Sequence, residues 1–117
     1  ASFIAFKHWK HIGNIISQSG SYWITDTEQQ NHWIYPTEKG KLINSYSKSP
    51  KLPLKFYMDI GLYDSGAAML GMNREFRSIL EIKGYDVDYN EFKGGHGYVN
   101  WRRTLADGII YIFGTGL

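Results

Sequence analysis

The sequence predicts an α/β fold: a three-layer αβα arrangement on a mostly parallel sheet, in a single domain over residues 1–117. Three observations predict it. Segments with helical patterning and segments with strand patterning alternate along the chain, which argues for parallel strands joined by crossover helices. The two clearest strand segments run into glycines, at Gly61 and at Gly94-Gly95, where a chain leaves a sheet. A length of 117 residues with 43% hydrophobic content suits one buried core.

The elements follow in order. In residues 1–10, Phe3, Phe6, Lys7 and Lys10 fall at helical spacing, as at the end of an amphipathic helix, with Gly13 as its stop. Asn14-Ile15-Ile16-Ser17 is a short apolar run fit for a buried strand. Residues 20–36 are aromatic and polar without a period, and read as a loop. A short helix is expected over 37–48, before the Pro50 and Pro53 connection. Residues 54–61 form the second strand. Residues 66–83 carry Met69, Met72, Phe76, Ile79 and Leu80 on one stripe, a helix capped by Gly84. Residues 86–92 alternate polar and apolar, as a strand with one wet face does. Residues 98–113 form the last helix, with Val99, Leu105, Ile109, Ile112 and Phe113 expected to point inward.

Composition narrows the function. Thirteen Lys and Arg against eleven Asp and Glu give a net charge of +2, too small to imply nucleic acid as a partner. The charge is uneven, +4 over residues 1–55 and −2 over 56–117, which a solvated lysine face explains. There is no cysteine, hence no disulfide, no thiolate metal site and no thiol nucleophile. The longest apolar runs fall far short of the ~20 residues that span a bilayer, so no membrane partner is expected. A cysteine-free chain suits either redox state; a cytoplasmic protein is the working expectation. His8 and His11 stand at i, i+3 without a third metal ligand nearby, so no metal or other cofactor is expected.

In an open parallel sheet, ligands gather beyond the carboxyl ends of the strands. Gly61-Leu62-Tyr63-Asp64 follows the second strand and Gly94-Gly95-His96-Gly97 follows the third. An acid and a histidine after adjacent strands have the layout of an Asp–His pair, in which the carboxylate fixes the imidazole tautomer. The residues also allow a plainer reading, with Asp64 as a helix N-cap and His96 without a partner.

The runs Ser17-Gln18-Ser19-Gly20-Ser21-Tyr22-Trp23, Asp59-Ile60-Gly61-Leu62-Tyr63-Asp64, Asn73-Arg74 and Gly94-Gly95-His96 with Trp101-Arg102 resemble the C-terminal half of the enterochelin-esterase-like branch of the α/β-hydrolases. The resemblance covers nearly the whole chain and is weakest over 24–53. It implies a partial α/β-hydrolase fold and a serine esterase acting on a small-molecule ester, a siderophore trilactone or a carbohydrate ester. It implies His96 and Asp64 as base and acid of a catalytic triad, and Trp101 and Arg102 as candidate substrate contacts. The aromatics Tyr22, Trp23, Trp33 and Tyr35 offer a stacking platform for a sugar or catechol ring, and core packing explains them equally well. Two departures stand out. Gly97 sits where many relatives carry an acid after the histidine. The G-x-S-x-G nucleophile elbow is absent from these 117 residues. Ser17-Gln18-Ser19-Gly20 lacks the leading glycine and follows a different strand. By the resemblance, Ala1 begins inside the helix that the elbow opens, and the nucleophile would lie upstream. The other reading is a truncated, non-catalytic relative serving as a binding or interaction module. In either case the 14–17 strand is expected to need a neighbour, from a missing N-terminal half or in a homo-oligomer, because an open apolar edge invites pairing.

Overall fold

The computed structural model describes residues 1–26 and 38–114. Helices and strands alternate as the patterning predicts: α1 (Ser2–Lys7), β1 (Asn14–Gln18), α2 (Lys41–Lys48), β2 (Lys55–Gly61), α3 (Ala67–Ile82), β3 (Asp86–Phe92) and α4 (Tyr98–Phe113). The strands form one parallel sheet in the order β1-β2-β3. Asn14 stands opposite Lys55 and Gln18 opposite Asp59; Lys55 stands opposite Asp86 and Gly61 opposite Phe92.

β2 is central, and every residue from Phe56 to Gly61 is buried. Its side chains alternate between two faces. Phe56 and Met58 join Ala5 of α1, Ile43 and Tyr46 of α2, and Phe76 and Leu80 of α3 in one core cluster. Tyr46 is its hinge pin, with ring centroids 5.0 Å from Phe76 and 5.8 Å from Phe56. The opposite face, with Tyr57 and Asp59, is covered by α4. Helices thus flank the sheet on both sides, giving three layers. Among the described residues no helix is long and apolar enough to cross a membrane.

α3 ends as the sequence suggests. Gly84 takes φ +83, its N–H bonds the Glu81 carbonyl, and the Tyr85 N–H reaches back to Leu80. This pair of bonds is the left-handed glycine cap that closes a helix.

Three expectations need correction. α1 ends at Lys7, well before Gly13: His8 leaves helical geometry, and a turn at His8–Ile12 takes over the hydrogen bonds. α2 begins at Lys41, with Gly40 at its N-cap; Thr37, the expected start, lies outside the described residues. On α4, only Ile112 of the five apolar residues expected inside is buried. The face turned to the sheet is Trp101, Thr104, Gly108 and Tyr111-Ile112, where Gly108 lets the helix lie flush on the Tyr57 ring. Leu105, Ile109 and Phe113 sit one position round the helix and stay exposed. A glycine and a threonine concealed the contact stripe, and the more apolar stripe beside it drew the prediction.

Candidate active site

The site lies beyond the carboxyl ends of the strands, where the loops after β2 and β3 are stitched together. The Leu62 N–H bonds the Phe92 carbonyl at 2.8 Å, and the Tyr63 N–H bonds the Gly94 carbonyl at 3.0 Å. The fit depends on glycine at two places. A Cβ on Gly61 would press into the Gly94 carbonyl, whose carbon would stand only 2.8 Å away. A Cβ on Gly94 would meet Asn100 Oδ1 at 2.7 Å. Gly95 and Gly97 are not crowded in this way, and neither has positive φ. Close approach of backbones therefore explains Gly61, the Asn100 side chain explains Gly94, and neither crowding nor positive φ requires Gly95 or Gly97.

These loops bring Asp64 and His96 together. The His96 Nδ1 is 2.9 Å from Asp64 Oδ1, the contact the strand-end placement predicts. The Asp64 side chain is fully buried (0% exposed), whereas His96 is 43% exposed. Asp64 does not cap α3: the N-cap is Gly66 and no side chain caps it. Instead Oδ1 also accepts the Ser65 N–H at 2.6 Å, and Oδ2 accepts the Ser19 hydroxyl at 2.8 Å. A carboxylate accepts only, so the imidazole donates from Nδ1. That leaves Nε2 as an acceptor with no hydrogen bond among the described residues, the tautomer a general base needs.

Trp101, on the first turns of α4, stands edge-on to His96 with ring centroids 4.7 Å apart and planes at 87°. Its indole N–H donates to Ser19 Oγ at 3.0 Å. Trp23, Ser21, Ser65 and Met69 surround an open hollow of about 200 Å³ beside His96. The structure therefore gathers His96, Asp64, Trp101 and Trp23. It does not bring Tyr22 or Arg102 to the hollow. Tyr22 is a core residue: its ring stacks on Phe76 at 4.4 Å, and its hydroxyl bonds Ser17 at 2.6 Å and Ser2 at 2.7 Å. Burial also pushes its hydroxyl pKa up. Arg102 lies on the exposed side of α4. His32, which the sequence places beside Trp33 and which is expected at the surface, lies outside the described residues, as do Trp33 and Tyr35.

Sequence reasoning missed the supports. Asn73, fully buried, donates to the carbonyls of Gly20 and Met69, both at 2.8 Å, and so ties the 19–23 loop to α3. Gln18, opposite Asp59 in register, donates to the Trp101 carbonyl at 2.8 Å, to Thr104 Oγ1 at 2.9 Å and to Asp59 Oδ2 at 3.3 Å. It clamps β1 to the start of α4. Asp59 Oδ1 is buried without a hydrogen-bond partner among the described residues, and burial pushes this carboxyl pKa up more than Thr104 and Gln18 pull it down. The signal available for Ser19 is its place in the Ser17–Trp23 run, which suggests a nucleophile and not a supporting hydroxyl.

The family model described as Putative esterase matches residues 1–112. The chain belongs to that family. No curated protein matches the sequence. Among solved structures, the enterobactin esterase of Shigella flexneri in the presence of enterobactin is similar with a TM-score of 0.76 and 23% identity, over 97% of this chain and 27% of that one. The same enzyme in the presence of 2,3-dihydroxy-N-benzoyl-serine gives 0.78 and 21%, over 97% and 28%. A ferulic acid esterase gives 0.73 and 15%, over 96% and 46%. At these identities the likeness is one of fold: three parallel strands with flanking helices, of the α/β-hydrolase type. The chain spans little more than a quarter of the first enzyme and under half of the second.

Proposed function

We propose that residues 1–117 supply the base and the acid of a serine esterase that cleaves a small-molecule carboxylic ester, of the siderophore or carbohydrate class. The observation that carries this reading is the 2.9 Å contact between a fully buried carboxylate and an imidazole that opens on a hollow. In this reading His96 Nε2 takes the proton of a serine hydroxyl as that oxygen attacks the ester carbonyl. The same nitrogen then returns the proton to the leaving alcohol oxygen. Asp64 holds the ring and stabilises the imidazolium between the two steps. Trp23 and Met69 give the hollow an apolar wall for part of the ester.

The nucleophile in this scheme comes from a segment other than residues 1–117. Ser19, the serine hydrogen-bonded to Asp64, is only 5% exposed, and its hydroxyl is held between Asp64 and Trp101. Residues 1–117 by themselves should leave esters intact, since a general base without nucleophile or oxyanion donors contributes little. The same outside segment, or a second copy, is proposed to pair with the edge of β1 that no described strand occupies and to cover the apolar outer stripe of α4. Exposed Leu105, Ile109, Ile110 and Phe113 support that part of the reading.

A serine-directed fluorophosphonate tests the scheme on the full-length protein. One serine outside residues 1–117 should be labelled, and His96→Ala should suppress labelling. Labelling of Ser19, or labelling that ignores His96→Ala, would overturn the scheme.

A further inference from the structure

We propose that Ser19 is the positioning residue of the Asp64–His96 pair, and that Trp101 acts through it. The inference rests on the esterase reading and extends it. Four side chains close a ring: Trp101 Nε1 to Ser19 Oγ at 3.0 Å, Ser19 Oγ to Asp64 Oδ2 at 2.8 Å, Asp64 Oδ1 to His96 Nδ1 at 2.9 Å, and His96 edge-on to Trp101. The direction of each bond is forced. An indole N–H only donates, so the Ser19 oxygen is the acceptor there. The one hydroxyl proton is then left for Asp64 Oδ2. With Ser65 N–H and His96 on Oδ1, the carboxylate is gripped at both oxygens and cannot swing away from the imidazole.

The backbone points the same way. Ser19 is the only non-glycine among the described residues with positive φ, +49. Glycine adopts that region without strain, and serine rarely does. Strained non-glycine residues persist where the surroundings over-determine them, often at functional sites. Here the Ser19 N–H bonds the Asp59 carbonyl at 2.9 Å, extending β1 along β2 by one residue and turning the hydroxyl toward Asp64. A glycine would suit the backbone better and would lose the hydroxyl.

That contrast provides the test. In the full-length esterase, Ser19→Gly removes the hydroxyl while relieving φ, which offsets part of the stability cost of leaving Asp64 Oδ2 and the Trp101 N–H without their partner. Loss of one hydrogen bond to a charged group should lower kcat by about ten- to a hundredfold, with KM little changed. Ser19→Ala, which keeps the strain, should lower kcat by the same factor. Proton NMR of the His96 ring supplies a readout that a purely structural role would not move. The Nδ1 proton should exchange with water faster in both variants, while the melting temperature of Ser19→Gly stays above that of Ser19→Ala, which keeps the strain. Trp101→Phe should lower kcat in the parent but not further in Ser19→Gly, because the indole acts through the hydroxyl. Unchanged kcat and unchanged Nδ1 exchange in Ser19→Gly would overturn the proposal. So would additive losses from Ser19→Gly and Trp101→Phe. Neither result touches the esterase reading, which fails separately if His96→Ala retains activity.

Discussion

Replacing Gly61 with alanine should damage the site more than its distance from the chemistry suggests. The added Cβ would press into the Gly94 carbonyl group, with the carbonyl carbon at 2.8 Å and the Gly95 oxygen at 3.2 Å. These are backbone atoms, so no side chain can turn aside. The 94–97 loop must retreat by about 1 Å to reach ordinary contact, taking His96 with it. Overpacking of this kind costs about 1–3 kcal/mol. The Tyr63 N–H to Gly94 bond, 3.0 Å in the parent, would stretch, at a further cost of about 1 kcal/mol. The expected destabilisation is therefore roughly 2–4 kcal/mol, from which the proposed esterase activity should fall by about 10²-fold as His96 leaves Asp64. Urea unfolding with parallel aryl-ester kinetics on the full-length protein reads both quantities. Gly97→Ala is the control, since nothing lies within 4 Å of its added Cβ. Gly61→Ala with stability and activity equal to Gly97→Ala would refute the packing argument.

Further expectations concern stability and assembly. Burial raises the Asp59 carboxyl pKa in the fold, so its contribution is fully present below the unfolded value and is lost as pH rises from about 4 through the folded value. Asp59→Asn should flatten that part of a stability–pH curve and raise stability at neutral pH; a curve that is unchanged would contradict the burial argument. Gly71→Ala, with open space around its Cβ in the middle of α3, should stabilise by about 0.5–1 kcal/mol. Gly108→Ala should not, because its Cβ would stand 2.8 Å from Tyr57 Cδ1; thermal melts giving both variants the same gain would show that α4 is not held flush on the sheet. Residues 1–117 expressed alone should self-associate at micromolar concentration through the β1 edge or the α4 stripe, and a stable monomer by sedimentation would contradict the proposed covering.

Much of the frame was legible because local rules and tertiary structure agree here. Strand and helix periods alternate, and β3 and α4 run over the expected residues. Gly84 terminates α3 by the mechanism its sequence position implies. Asp64 and His96 were legible because a parallel sheet places the ends of consecutive strands side by side, so position along the chain translates into proximity. What was not legible required knowledge of contacts. The bond from Ser19 to Asp64 joins residues 45 apart, and no short motif announces a hydroxyl in a supporting role. Gln18 and Asp59 become neighbours only once the register of β1 on β2 is known. Tyr22 beside Trp23 looked like half of a binding platform, but Ser2 and Ser17 satisfy its hydroxyl inside the core. The α4 stripe was misread because hydrophobicity marks what a helix could bury, and this sheet selects Gly108 and Thr104 instead.

The central claim, that His96 and Asp64 are the base and acid of an esterase, is tested most directly by kcat/KM for an activated aryl ester with the full-length protein and two variants. His96→Ala should lower the value by about 10²–10⁴-fold, the range a general base contributes. Asp64→Asn, which keeps the shape but favours the wrong imidazole tautomer, should lower it by up to about 10⁴-fold. Hydrolysis that persists within threefold of the parent in either variant would contradict the claim.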